Sequence, residues 1–190
     1  MESPFIVLSQ IAGVLEERGI SYVVVGSFAS SLRGVYRTTN DIDIVADIKL
    51  EQVNGLVSAL QDDFYIDELA ARRAVIGHSS FNVIHFESVF KVDLFVPSPN
   101  EFSQQQLMRR QPEQLSPEMA QMICVATAED TILGKLQWYR AGNEISNTQW
   151  TDVRGIIGSQ GENLDADYLR KWADKLNVRE LLERALKETV

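Results

Sequence analysis

Two aspartates, Asp41 and Asp43, stand two residues apart in the alternating segment Asp41-Ile42-Asp43-Ile44-Val45. Side chains at that spacing in a strand project from one face, so both carboxylates share a face while Ile42 and Ile44 turn to the core. The strand rise puts their Cα atoms about 6.6 Å apart. Two like charges at that separation repel by roughly 2–3 kcal/mol at an effective dielectric near 20. A divalent cation held between them reverses that sign. Mg2+ takes oxygen ligands, commonly one or two carboxylates together with substrate phosphates, and the pair suits it. The alternative is a strand whose solvent face carries acids.

Upstream, Val23-Val24-Val25 runs into Gly26-Ser27. Glycine lets a ligand approach the backbone, and free N–H groups at a helix start attract phosphate oxygens. Ser27 adds a hydroxyl. Read alone, the segment is an ordinary strand-to-helix turn; read with Asp41 and Asp43, it puts a phosphate cradle beside a metal site. Arg37, Thr38 and Thr39 precede the acids and could add donors to phosphate, or be turn-forming polar residues. A third acid, Asp93, interrupts the apolar run Phe90-Lys91-Val92-Asp93-Leu94-Phe95-Val96. Burying an acid there is costly unless it is paired or binds a metal. A pairing with Lys91, which alternation puts on the same face, would serve equally well.

The surrounding elements follow from periodicity. Ser3 and Pro4 open a helix that Gly19 stops, with Phe5, Leu8, Ile11 and Leu15 on its buried face. Tyr22–Val25 reads as a buried strand, and a short helix follows over 27–32. A polar loop covers 33–40. Another amphipathic helix covers 50–60, then a strand 64–66 and a short helix 69–75. Segments 81–86 and 89–96 read as a hairpin separated by a couple of residues. Residues 102–110 are polar and helical, and the Gln-rich, Pro-containing stretch 111–118 reads as a linker. Thr127 caps a helix ended by Gly142, and further helices fit 147–158, 166–176 and 179–188. The domain expectation is a core over 1–110 and a mainly helical C-terminal unit over 119–190.

Composition narrows the functional classes. The 190 residues are 45% hydrophobic and 24% charged, as in a globular protein, and no run is apolar for long enough to span a membrane. The single cysteine, Cys124, reads as a small core residue and fits a reducing cytoplasm. A net charge of −9 argues against general DNA or RNA binding, which needs a basic surface. His85 reads as a partly buried structural histidine, and Trp138, Trp150 and Trp172 as packing of the C-terminal helices. Asp152 and Arg154 could join the cleft, though nothing in their spacing requires it.

The run VVVGSFASSLRGVYRTTNDIDIVADI resembles the signature of the DNA polymerase beta-like nucleotidyltransferase superfamily. That signature is a hydrophobic strand, Gly-Ser, a spacer and Asp-h-Asp, with a third acid on a later strand. It matches residues 22–48 closely, and Asp93 completes it. Residues 129–157 are similar to the C-terminal helices of small stand-alone members, among them toxin nucleotidyltransferases of abortive-infection systems. The resemblance implies an α+β fold, a nucleotidyltransferase-type core with a mixed sheet flanked by helices, followed by a helical C-terminal unit. It implies catalytic, metal-binding roles for Asp41, Asp43 and Asp93, with Mg2+ (or Mn2+) as cofactor, and Asp93 as the group that orients or deprotonates an acceptor hydroxyl. Gly26 and Ser27 would hold the β- and γ-phosphates of an NTP, aided by Arg37, and a helical lysine that contacts the nucleotide falls on Lys135. The expected reaction moves a nucleoside monophosphate from NTP to a hydroxyl of a small molecule, protein or RNA. The alternatives are a non-catalytic nucleotide-binding or toxin–antitoxin module of the same fold, with an antitoxin partner, and a sugar-nucleotide glycosyltransferase anchored by Asp-x-Asp.

Overall fold

Every alternating segment read from the sequence becomes a strand of one mixed sheet in the computed structural model, which describes residues 4–39, 41–115 and 121–189. In chain order the elements are α1 (Pro4–Glu17), β1 (Tyr22–Val25), α2 (Gly26–Arg33), β2 (Asp41–Ala46), α3 (Val53–Leu60) and β3 (Phe64–Ile66). Then come α4 (Glu68–Gly77), β4 (Ser80–His85), β5 (Lys91–Phe95), α5 (Glu101–Arg109), β6 (Gln111–Gln114) and β7 (Met122–Val125). The remainder is helical: α6 (Ala128–Ala141), α7 (Asn147–Gln160), α8 (Ala166–Lys175) and α9 (Arg179–Thr189). The chain divides into two compact units, Met1–Val25 with Thr39–Val125, and Gly26–Thr38 with Ala126–Val190.

The first unit holds all seven strands in the order β3-β4-β5-β2-β1-β7-β6. β2 runs parallel to β5 and β1 parallel to β7; the other neighbours are antiparallel. Register sorts the side chains by face, because paired residues point the same way. Val24, Ile44, Leu94 and Phe81 form one buried row across four strands, and Ile42, Val92 and Val83 form the next. The alternate positions of β2 and β5, including both aspartates of β2, face the other way and are half-exposed. α1 packs on α3, α3 on α4, α4 on β4 and α5 on β1.

In the second unit α2 packs on α6 and α7, α6 on α7 and α8, and α9 on α7 and α8. Thr127 caps α6, its hydroxyl accepting from the Asp130 N–H at 3.2 Å, as the sequence predicts. Gly34 lies so close to α7 that a Cβ there would sit 2.8 Å from the Ile156 backbone nitrogen. No helix among the described residues is long and apolar enough to cross a membrane.

Four sequence expectations change. Residues 111–114 of the expected linker form β6, paired with β7 from Gln111 opposite Val125 to Gln114 opposite Met122. An edge strand tolerates Pro112, and its exposure hides the apolar signal of a strand. Residues 116–118 of that stretch, like the Ser3 cap and Asn40 at the end of the polar loop, lie outside the described residues. The hairpin loop spans 86–90 rather than a couple of residues, and Val89 turns it with φ 57°. Cys124 is half-buried because it points to the opposite face from Ile123 and Val125. Trp138 is 62% exposed, whereas Trp172 is buried.

Candidate active site

The acids occupy one face of the sheet. Asp43 and Asp93 are register partners across the parallel β2–β5 pair, and the level continues to Val25 on β1 and Asn82 on β4. The adjoining level pairs Asp41 with Lys91. Strand spacing puts the Asp43 and Asp93 backbones about 4.8 Å apart, so two carboxylates stand side by side with a third two residues along. The apolar rows on the reverse face anchor both strands in the core.

Two contacts order this platform. The Thr39 hydroxyl donates to Asp41 Oδ1 at 3.0 Å and fixes that carboxylate. The Lys91 ammonium sits 2.7 Å from Asp93 Oδ2. That hydrogen bond holds the lysine above its ordinary range; burial opposes it, and the charges of Asp93, Asp41 and Asp43 add to it. Lys91 therefore lies in the field of all three acids, and Asp93 is paired with Lys91 on the face that Asp41 and Asp43 share.

Among the described residues no group of three or more His, Cys, Asp or Glu side chains is arranged to hold a metal ion unaided. The chemistry of the donors nonetheless fits a hard divalent cation. They are all carboxylate oxygens, two of them neighbours on adjacent strands, and Mg2+ ordinarily completes its shell with water and substrate phosphate. Asp41, Asp43 and Asp93 are the residues that could hold it.

The helical unit contains a second polar cluster. Gly26 opens α2 with φ 63°, a conformation glycine adopts without strain, and Ser27 follows in the first turn. Asp152, on α7, accepts from Arg37 Nε at 3.0 Å and Nη2 at 3.1 Å, one bond to each carboxylate oxygen. It also accepts from Lys135 Nζ at 2.7 Å and the Ser30 hydroxyl at 3.3 Å. Arg37 Nη2 donates further to the Ser27 hydroxyl oxygen. Burial pushes the Asp152 carboxyl up, but the bonds from Arg37 and Lys135 outweigh it and hold the group below the usual carboxylate range.

Three predicted residues, Ser27, Arg37 and Lys135, are thus gathered around an acid for which spacing along the sequence required no role. Asp152 had a signal: Asp152, Val153, Ile156 and Ile157 form one helical stripe, and all four are buried. An acid on an apolar stripe needs a partner. The sequence offered Lys135 either as a lysine reaching a triphosphate or as a solvated one, and it is not solvated. Its side chain is 4% exposed and paired with Asp152. His85 is buried as expected, against Phe64, with Nδ1 2.9 Å from the Ser88 hydroxyl.

Comparison with known proteins gives the fold. No family profile and no curated protein matches the chain. Solved structures do. The chain is similar to an antigenic nucleotidyltransferase-like protein from Paracoccidioides brasiliensis, with 21% identity and a TM-score of 0.56 over 96% of this chain and 91% of that one. It is similar to ANT(2'')-Ia in complex with adenylyl-2''-tobramycin, with 15% identity and a TM-score of 0.56 over 92% of this chain and 97% of that one. The same antibiotic-resistance factor in solution gives 16% identity and a TM-score of 0.53 over 97% and 99%. The chain therefore has the nucleotidyltransferase fold, a mixed sheet flanked by helices.

Proposed function

We propose that this protein is a metal-dependent nucleotidyltransferase that moves a nucleoside monophosphate from an NTP to an acceptor hydroxyl. The observation that carries the reading is the register match of Asp43 with Asp93, with Asp41 on the same face, in a chain of this fold. A divalent cation held by Asp41 and Asp43, Mg2+ or Mn2+, would supply positive charge against the triphosphate and ease loss of the acceptor proton. Asp93 orients the acceptor hydroxyl and accepts its proton. A bond then forms from the acceptor oxygen to the α-phosphorus, the bond from that phosphorus to the bridging oxygen breaks, and pyrophosphate leaves. The N–H groups at the start of α2 and the Ser27 hydroxyl bind phosphate oxygens, and the Arg37–Lys135–Asp152 cluster adds one net positive charge. Such chemistry proceeds largely by positioning and electrostatics.

A small-molecule hydroxyl is the acceptor class we favour over RNA. The net charge of −9 works against a polyanionic acceptor. ANT(2'')-Ia, similar in fold, is bound to an adenylylated small molecule. A lone cysteine suits a reducing cytoplasm as the place of action. The test is incubation with each α-labelled NTP and Mg2+ against small-molecule, protein and RNA fractions of a lysate. Label is expected in the small-molecule fraction and absent with Asp41→Ala/Asp43→Ala. Absence of label with every nucleotide, together with absence of Mg2+-dependent NTP binding, would overturn the reading.

A further inference from the structure

We propose that Asp152 is a positioning residue for the Gly26-Ser27 turn: through Arg37 it fixes the Ser27 hydroxyl as a hydrogen-bond donor toward a phosphate oxygen. The inference rests on the nucleotide-binding reading above and adds a residue that reading does not require. Arginine has only N–H donors, so in its contact with Arg37 Nη2 the Ser27 oxygen must accept. The serine's own hydrogen is thereby left to donate to another acceptor. Without Arg37, a serine in the first turn of a helix can rotate its hydroxyl toward several oxygens. With it, one lone pair is committed and the rotor is held.

Arg37 has its own orientation set by the paired bonds to both oxygens of Asp152, a geometry that fixes the plane of a guanidinium as a single contact cannot. Asp152 is in turn fixed by Lys135 Nζ at 2.7 Å. The order of exposure agrees with a chain of support directed outward. The Lys135 and Asp152 side chains are 4% and 6% exposed, and Arg37 is 34% exposed. On this view Lys135 acts through Asp152 and not by touching the nucleotide. Two cations and one anion leave the cluster with a single positive charge, which suits an anionic ligand.

The test is a double-mutant cycle on phosphate binding. Mg2+-tripolyphosphate, common in chemistry to every NTP, is titrated calorimetrically into wild type, Ser27→Ala, Asp152→Asn and the double variant, with each fold checked by circular dichroism. Ser27→Ala and Asp152→Asn are each expected to weaken binding roughly tenfold, and the double variant no further than the weaker single. Equal weakening by Asp152→Asn with and without Ser27 is the signature of a merely structural acid and overturns the proposal. Unchanged affinity in a folded Asp152→Asn protein does the same. Should Asp152→Asn not fold, Arg37→Met replaces it, since that side chain is partly exposed, and the additive outcome is again fatal. If wild type binds neither tripolyphosphate nor any NTP, the nucleotidyltransferase reading falls and this proposal with it; additivity with intact wild-type binding removes the proposal alone.

Discussion

Asp43 and Asp93 face each other at one level of the parallel β2–β5 pair, two acids on adjacent strands where like charges destabilise a sheet. Neutralising Asp43 relieves that repulsion while leaving the Lys91–Asp93 pair in place. Asp43→Asn is expected to leave the stability of the metal-free protein unchanged or raise it by up to about 1 kcal/mol. Wild type should gain about 2.7 kcal/mol from Mn2+ at a hundred times its dissociation constant, and the variant should lose that gain. Thermal melts with and without MnCl2 measure both. An Asp43→Asn protein that Mn2+ stabilises as much as wild type would remove this aspartate from the metal site.

Lys91 competes with any cation for Asp93. Its pairing is partly exposed, 43% on the lysine side chain and 20% on the aspartate, so its worth is that of a surface ion pair. Lys91→Met should tighten Mn2+ binding by roughly two- to fivefold. Electron paramagnetic resonance titration of free Mn2+ reads this directly. Weaker binding in the variant would mean that the ammonium helps to assemble the site.

Asp152 predicts an acid limb to stability. Its folded carboxyl lies below the ordinary 3.8, so the stability it contributes is complete above that value and is lost as pH falls through the folded pKa. Asp152→Asn removes the carboxylate that Arg37 and Lys135 share and should begin about 3 kcal/mol less stable at neutral pH. The gap to wild type should narrow below pH 3.8. Urea midpoints from pH 6 downward test it, and a gap independent of pH would place the carboxylate's stabilising partners elsewhere.

Gly34 is confined by α7. A Cβ would meet the Ile156 nitrogen at 2.8 Å and the Gly155 carbonyl carbon at 3.0 Å, both backbone atoms that cannot rotate aside. Gly34→Ala should destabilise the helical unit by about 1–3 kcal/mol, as overpacking does. Denaturant unfolding supplies the number. A neutral substitution would show that 26–38 yields easily from α7.

What could be read from the sequence follows the physics of each segment. The acid face was legible because Asp41, Ile42, Asp43 and Ile44 alternate strictly and the period of a strand is two. The helices from α6 onward were legible from caps and stops such as Thr127 and Gly142. β6 was not, because an exposed edge strand of Gln, Pro and Glu has no buried face to impose a pattern. The partnership of Lys135 with Asp152 spans 17 residues and two helices. Spacing along one helix could not predict it, though an acid on the apolar stripe of α7 marked one end. That Gly26–Thr38 clusters with residues from Ala126 onward has no local signal, since its packing partners lie about a hundred positions away.

That discontinuity has a consequence for the newborn chain. Gly26, Ser27 and Arg37 leave the ribosome more than a hundred residues ahead of Asp152. At translation speeds of about 5–20 residues per second, the turn waits roughly 6–23 seconds for its anchor. The sheet can assemble as soon as Val125 emerges, whereas the Ser27 hydroxyl gains its fixed orientation only after α7 has been made. On the proposed reading, phosphate recognition thus follows assembly of the sheet.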